Sequence, residues 1–588
     1  MLNDDSIYIS DFRPATDAVP GARTIPSRID GRDGHTLHMD DGADGICNVP
    51  SPVEGWHDVY IGFPAASSIQ VRLSGEPTFR WLESSVRWGG SPDDGEEAYW
   101  RLADLTAAGF ELRPQLLSRR HDRRDSRVAY LRLVPVSDAE ARKRQQGLSD
   151  RPTRTAGAVI DGHEMLGAYG PQSPDEVRDL IEPFVDSDFR RIHFGCTTTT
   201  MRLNFLSKVG YHMGQDQPLD RLHSDGNRRC ALALQAAERE GYDPVDILIA
   251  HCEDIELELW ADFRIQQDYP YDYAGGFGYD FNSPFTDAHQ DWRHVDRNGE
   301  VCSHLFSHFH PGWEQYKLDL LAELAEKGPA GIHLNLMCEM NAIWDFAPQA
   351  VIRFRDEHGF DPTSDPEPPE EWYQFRCDHL TEFMRRLRSQ TDRIGRRLGR
   401  PIPIAVQVSG DWNILKHGKL VKAVSQNFLA GFDIGRWARE GLVDVVSPSF
   451  RRTYKPMFLE HLLDELGDAR GRVMLVPSLG QHDNAVFPRG YEWSLYFTDE
   501  GAGATDLVPF GELDAWRVLR EAHDLYRQGA DAVDVWEMGN APVRLARWNV
   551  LKHVGDRDML ASEFGERIGG LMGRPEGQVK MELDNSGS

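Results

Sequence analysis

In the stretch GIHLNLMCEM, His333, Asn335, Met337 and Glu339 recur at a period of two, so in a strand they share one face. An imidazole, an amide and a carboxyl group on one buried face must each find a partner, because an unpaired polar group there is costly. Other apolar runs end in the same way. Asp161, His163 and Glu164 follow AVI, His193 lies in RIHFGC, and Asp262 and Arg264 close LELWADFR. Gln407, Ser409 and Asp411 close IAVQVSGD, Ser447 and Ser449 lie in VDVVSPSF, Gln481, His482 and Asp483 follow RVMLVPSL, and Asp534, Trp536 and Glu537 end DAVDVWEM. Carboxyl groups gathered from several strand ends repel one another, which argues against a purely structural role. Two of them flanking a bond can act as acid and as nucleophile or base, while imidazoles, amides and guanidinium groups orient the ligand. The reading assigns Glu537 as one reacting carboxyl group and Glu339 or Asp262 as the other. Asp161, Glu164, Arg264, His333, Asn335, Gln407, Asp411, Trp412 and Trp536 are assigned to the substrate. Trp412 beside Asp411, and Trp344 beside Asp345, join a flat apolar face to a carboxylate, the combination that binds a sugar ring.

Residues so spaced must be positioned by a repeating scaffold. Eight apolar runs of five to eight residues, at 157–162, 191–196, 257–263, 331–337, 402–409, 443–450, 472–479 and 531–538, alternate with helical segments. One such segment is SPDEVRDLIEPFV, in which Ser173 and Glu176 have the spacing of a capping box. Another is EWYQFRCDHLTEFMRRLRSQTDRIGRRLG, closed by Gly399 and Pro401. Strands buried on both faces and joined by helical crossovers predict an α/β fold, a (β/α)8 TIM barrel, with its site at the C-terminal strand ends. Before it, HDVYIGF, SIQVRLSG, TFRWLES, GFELRPQLL and VAYLRLVPV alternate apolar and polar residues between turns, the pattern of an antiparallel β-sandwich. The expected organisation is a β-sandwich over 1–136, a linker with a short helix over 137–156, the barrel over 157–571 and a disordered tail over 572–588.

Composition narrows the partners. The 588 residues carry a formal charge of −29, which repels nucleic acid and anionic membrane surfaces. No run approaches the roughly 18 apolar residues of a membrane span, and MLNDDSIYISDF lacks the basic and apolar regions of a signal peptide, so the cytoplasm is the expected compartment. The seven cysteines have no CxxC spacing, which predicts free thiols and neither a metal cluster nor a disulfide framework. The glycine-rich turn of a nucleotide fold is missing after the first run, and no cofactor or metal is expected. The nearest approach to a metal motif is SHLFSHFH, with His304, His308 and His310, but it precedes a helix rather than closing a strand.

In order along the chain, GWHDVYIGF, SIQVRLSGEPTFRWL, AYWRLADLTAAGFEL, LELWADFRIQQD, FSHFHPGWEQYKLDLLAELAEKGPAGIHLNLM, RFRDEHGFDP and AGFDIGRWAREGLVDVVSPS resemble the glycosyl-hydrolase-like (family 10-like) barrel proteins with an N-terminal jelly-roll domain. The resemblance implies a carbohydrate substrate and hydrolysis of O-glycosyl bonds. Relatives of this kind carry an aspartate where this chain has Asn335, and Arg-x-Asn-Asp where it has Arg264, Gln266 and Gln267. An amide keeps the hydrogen-bonding shape of a carboxylate but cannot act as a base. Two further readings follow: a carbohydrate-binding protein whose hydrolytic centre is lost, and a metal-dependent barrel hydrolase.

Overall fold

The structure is a computed structural model that describes residues 6–16, 19–29, 32–40, 45–64, 67–84, 94–114, 126–146, 153–198, 202–265, 278–336, 345–365, 368–410, 413–416, 419–423, 426–449, 459–479, 515–536, 538–540, 542, 545–565 and 578–583. All eight apolar runs contain strands: β1 Ala156–Ile160, β2 Phe189–Gly195, β3 Glu258–Arg264, β4 Gly331–Asn335, β5 Ile404–Ser409, β6 Val445–Ser449, β7 Ser478–Leu479 and β8 Asp534–Val535. A further short strand, Met474–Leu475, precedes β7 and pairs with β6. Neighbours pair in parallel around the ring, β5 pairs with β6, and β8 pairs with β1, so the sheet closes on itself. The runs are nearly continuous in apolar residues because each strand has the lumen on one side and helices on the other.

Two helices show how the sequence encodes the outer layer. Glu370–Leu398 turns Trp372, Phe375, Leu380, Phe383, Met384 and Leu387 inward and ends at Gly399, whose φ of 75° is the left-handed conformation that glycine adopts without a Cβ penalty. SPDEVRDLIEPFV forms a short helix, Pro174–Asp179, and a separate 3-10 turn, Glu182–Phe184. Pro183 is the reason the single long helix does not form, since it lacks the N–H that would bond back to residue 179.

Chain contacts divide the molecule into one unit of 155–174 and 189–539, which holds the barrel, and one of 1–154, 175–188 and 540–588. In the second unit an eight-stranded sheet runs in the order Ile7–Ile9, Tyr130–Pro135, Trp56–Pro64, Asp94–Asp104, Gln578–Leu583, Ala22–Ile29, Arg32–Met39, Ser126–Val128. A four-stranded sheet holds Cys47–Val49, Phe110–Arg113, Ser68–Leu73 and Arg80–Glu83. Phe12, Leu37, Val59, Ile61, Phe63, Ile69, Val71, Phe110 and Leu112 form one buried core. Gln578–Leu583, where the sequence predicts a tail, pairs antiparallel with Asp94–Asp104 on one side and Ala22–Ile29 on the other.

Outside the lumen the barrel unit buries a second polar group. Asp345 accepts a 2.6 Å hydrogen bond from Ser307 Oγ, lies 3.5 Å from His294 Nε2, and holds a φ of 76° that a non-glycine residue rarely adopts. Burial pushes the pKa of His294 down to about 4 against the pull of Asp345. The unfolded chain therefore binds the proton that the folded chain refuses, and stability falls as pH drops from about 6.5 towards 4. That window corresponds to about 3 kcal/mol from this one group. Urea midpoints measured on either side of the window should show the loss, and His294→Asn should flatten it.

Candidate functional site

Inward-facing positions on the strands determine what the lumen holds. From β1 these are Gly157 and Val159, with Asp161 just beyond; from β2, Arg191 and His193; from β3, Trp260, Asp262 and Arg264; from β4, Gly331, His333 and Asn335. Gln407, Ser447, Ser478 and Asp534 come from β5 to β8. The middle of this barrel is thus polar where a packed core would carry branched apolar residues.

At the C-terminal end Arg264 Nη2 donates a 2.5 Å hydrogen bond to Asp161 Oδ1, and its guanidinium lies 5.7 Å from the centre of the Trp536 ring. The backbone fixes this arm, since the Arg264 N–H donates to Thr197 Oγ1 at 2.9 Å. Side-chain exposure is 14% for Asp161 and 6% for Arg264, so the carboxylate is the member of the pair that meets solvent. In register, Arg264 stands beside Asn335 and Asn335 beside Gln407, which sets a guanidinium and two amides in a row across three strands. Gln407 Nε2 in turn donates to Ser478 Oγ at 3.0 Å.

One inward step below Arg264, His333 Nδ1 donates to Asp262 Oδ1 at 2.5 Å, with both side chains at most 2% exposed. A carboxylate can only accept, so this contact fixes the tautomer of the ring and aims Nε2 away from Asp262. Deeper still, His193 Nε2 lies 3.4 Å and Arg191 Nη2 3.5 Å from the two oxygens of Asp534. Burial alone would raise the pKa of Asp534, but His193, Arg191 and His333 together hold it below the ordinary carboxylate value. Burial lowers the pKa of His193, outweighing the opposing pull of Asp534. Burial and charge thus pull the two groups in opposite senses, Asp534 towards its charged form and His193 towards its neutral one.

Eight of the expected site residues lie in the described part of the chain, and seven of them line the lumen or its mouth: Asp161, Asp262, Arg264, His333, Asn335, Gln407 and Trp536. Glu164, the eighth, is on the helix Gly162–Tyr169 that follows β1. Glu339, Glu537, Asp411 and Trp412 lie outside the described residues, as do Trp344, Gln266 and Gln267. Asp345 is drawn to Ser307 and His294, and Trp313, Trp372 and Trp437 are core. His193 and Asp534 stand among the polar strand positions without a role assigned from sequence, and Arg191 is a lumen residue that the polar strand ends do not point to. Its signal was an arginine two residues before His193 in a run otherwise apolar.

The ligand atoms of Asp161, His163 and Glu164 lie within 4.8 Å of one another, close enough for a cation. Arg264 already neutralises Asp161 from 2.5 Å, and a second cation there would be repelled. His308 and His310 do not converge: His308 Nδ1 pairs with Lys317 Nζ at 2.9 Å, and His310 stacks on Trp292 at 3.9 Å.

No protein-family model matches the chain, and no curated protein does. Among solved structures it is similar to alpha-L-fucosidase isoenzyme 2 from Paenibacillus thiaminolyticus, at 11% identity over 70% of this chain and 50% of that one, with a TM-score of 0.40. It is also similar to the catalytic domain of beta-amylase from Paenibacillus polymyxa (10%, 68% and 96%, TM-score 0.39). A third is the glycoside hydrolase family 18 N-acetylglucosaminidase from Paenibacillus barengoltzii (11%, 68% and 99%, TM-score 0.31). The chain spans about half the length of the fucosidase. All three are glycoside hydrolases by name, and at these scores the likeness adds nothing to the barrel seen in the strand pairing.

Proposed function

We propose that the protein is a carbohydrate-active hydrolase that cleaves a glycosidic bond at the C-terminal mouth of the barrel. The observation that carries this reading is the convergence of Asp161, Arg264 and Trp536. A sugar offers hydroxyls around its rim and C–H groups on its face, and a carboxylate, a guanidinium and an indole match the two. Asn335 and Gln407 extend the hydrogen-bonding row without adding charge. The reacting carboxyl groups in this reading are Glu537, which follows Trp536, and Glu339, four residues beyond Asn335. Asp262, though a carboxyl group of the lumen, is only 1% exposed and engaged by His333, so its role is to hold that imidazole beneath the bound sugar.

The test is a panel of glycans and aryl glycosides, reading new reducing ends. Turnover that survives chelation and is lost in a Glu339→Gln, Glu537→Gln double variant is expected. Silence across the panel, with a sugar still raising the melting temperature, would leave a binding protein in its place. Arg264→Gln should raise KM about tenfold or more, because it removes the charge-assisted hydrogen bond to Asp161. A KM unchanged in that variant would remove Arg264 from the sugar site.

A further inference from the structure

Across the lumen, Asp262, His333, His193 and Asp534 follow one another without an apolar side chain between them. The Asp262–His333 hydrogen bond measures 2.5 Å, the two imidazole centres are 4.5 Å apart, and His193 reaches Asp534 at 3.4 Å. Arg191 closes the far end at 3.5 Å from Asp534. All five side chains are at least nine-tenths buried, and among the described residues His333 Nε2 and both ring nitrogens of His193 have no hydrogen-bond partner. Position 157 of β1 is a glycine whose missing Cβ would sit 2.0 Å from Asp534 Oδ1 and 2.9 Å from His193 Nε2, so the first strand leaves the space these two groups occupy.

We propose that Asp534 and His193 are positioning residues for the Asp262–His333 pair, and that the four form a buried electrostatic relay in which the charge of Asp534 acts through His193 on His333. For its meaning in turnover the proposal rests on the hydrolase reading; the relay itself does not. Among the described residues, the titratable groups facing His333 from the neighbouring strands are Asp262 and Arg264 on β3, Arg191 and His193 on β2, and Asp534 on β8, with Asp161 beyond β1. On the other side, among the described residues, β5 to β7 contribute the neutral Gln407, Ser447 and Ser478. On the His193 ring the charge of Asp534 outweighs the opposing influence of Arg191. A carboxylate at this depth favours positive charge on the imidazoles above it, and Arg191 offsets part of that effect.

The proton of the His333–Asp262 hydrogen bond gives a far-downfield resonance that His333→Asn would assign by removing it. Its pH dependence is to be followed in the full-length protein, in Asp534→Asn and in His193→Asn. Loss of the Asp534 charge should move the transition to lower pH by about one unit, and loss of the intervening ring should move it as well. If Asp534→Asn fails to fold because it leaves Arg191 unpaired, the Arg191→Gln, Asp534→Asn double variant is compared with Arg191→Gln alone, and the difference between the two isolates the Asp534 charge. A transition that stays in place in the variants overturns the relay, whether or not any glycan is cleaved. Where a substrate does turn over, the pH profile of kcat/KM should move with the resonance, and a profile that stays fixed while the resonance moves overturns the positioning role. No turnover in the parent protein counts against the hydrolase reading alone.

Discussion

Asp262→Ala should destabilise the barrel by about 3–5 kcal/mol, the range for breaking a buried pair by deleting one partner. His333 is fully buried and its Nδ1–H has Asp262 as its acceptor, so the alanine leaves a polar N–H facing a new cavity. Asp262→Asn separates fold from function. Its amide oxygen still accepts from Nδ1, which limits the structural cost to about 1–2 kcal/mol, but the negative charge beneath the mouth is gone. In a hydrolase of the kind proposed, loss of the charge that holds the imidazole beneath the sugar should slow turnover by about tenfold or more with the fold retained. Calorimetric melting of both variants, with kcat measured on the asparagine variant, tests the two halves separately. An alanine variant as stable as the parent would mean that the pair contributes nothing net, as happens where desolvation cancels attraction.

The barrel was legible because its signal is redundant. Eight runs recur at the length of buried strands, and closure follows from their number even where a strand is as short as Ser478–Leu479. Mouth residues were legible for the same reason: a polar residue that ends an apolar run, such as Asp262 or Asn335, must face inward if the run is a strand. Asp94–Asp104 and Gln578–Leu583 were harder to read. The first begins with acidic residues, DGEE, that mask its alternation, and the second acquires its meaning from partners nearly 500 residues away in sequence. Pairing was not legible either. That Asp161 takes Arg264, or that His333 takes Asp262, depends on the shear of the barrel and the register of neighbouring strands, which periodicity does not encode.

Register also explains why a residue without a side chain is the most restrictive position in the lumen. Gly157 pairs with Arg191 on one side and Asp534 on the other, so any atom added to it enters the space between them. A Cβ there would meet Asp534 Oδ1 at 2.0 Å and His193 Nε2 at 2.9 Å, and Asp534 cannot swing aside without leaving both Arg191 and His193. Gly157→Ala should therefore cost about 3 kcal/mol or more, overpacking compounded by a disturbed buried ion pair. Gly471→Ala is the control. It is exposed, has nothing within 4 Å of its added Cβ, and should change stability by less than about 0.5 kcal/mol. The decisive comparison is the double variant Gly157→Ala, Asp534→Ala, in which the carboxylate that the new methyl group would strike is gone. If the steric account is right, the two losses should fall short of additivity by about 1 kcal/mol or more in urea unfolding. Strict additivity would mean that the glycine is required for the backbone of β1, and that the space beside Asp534 is incidental.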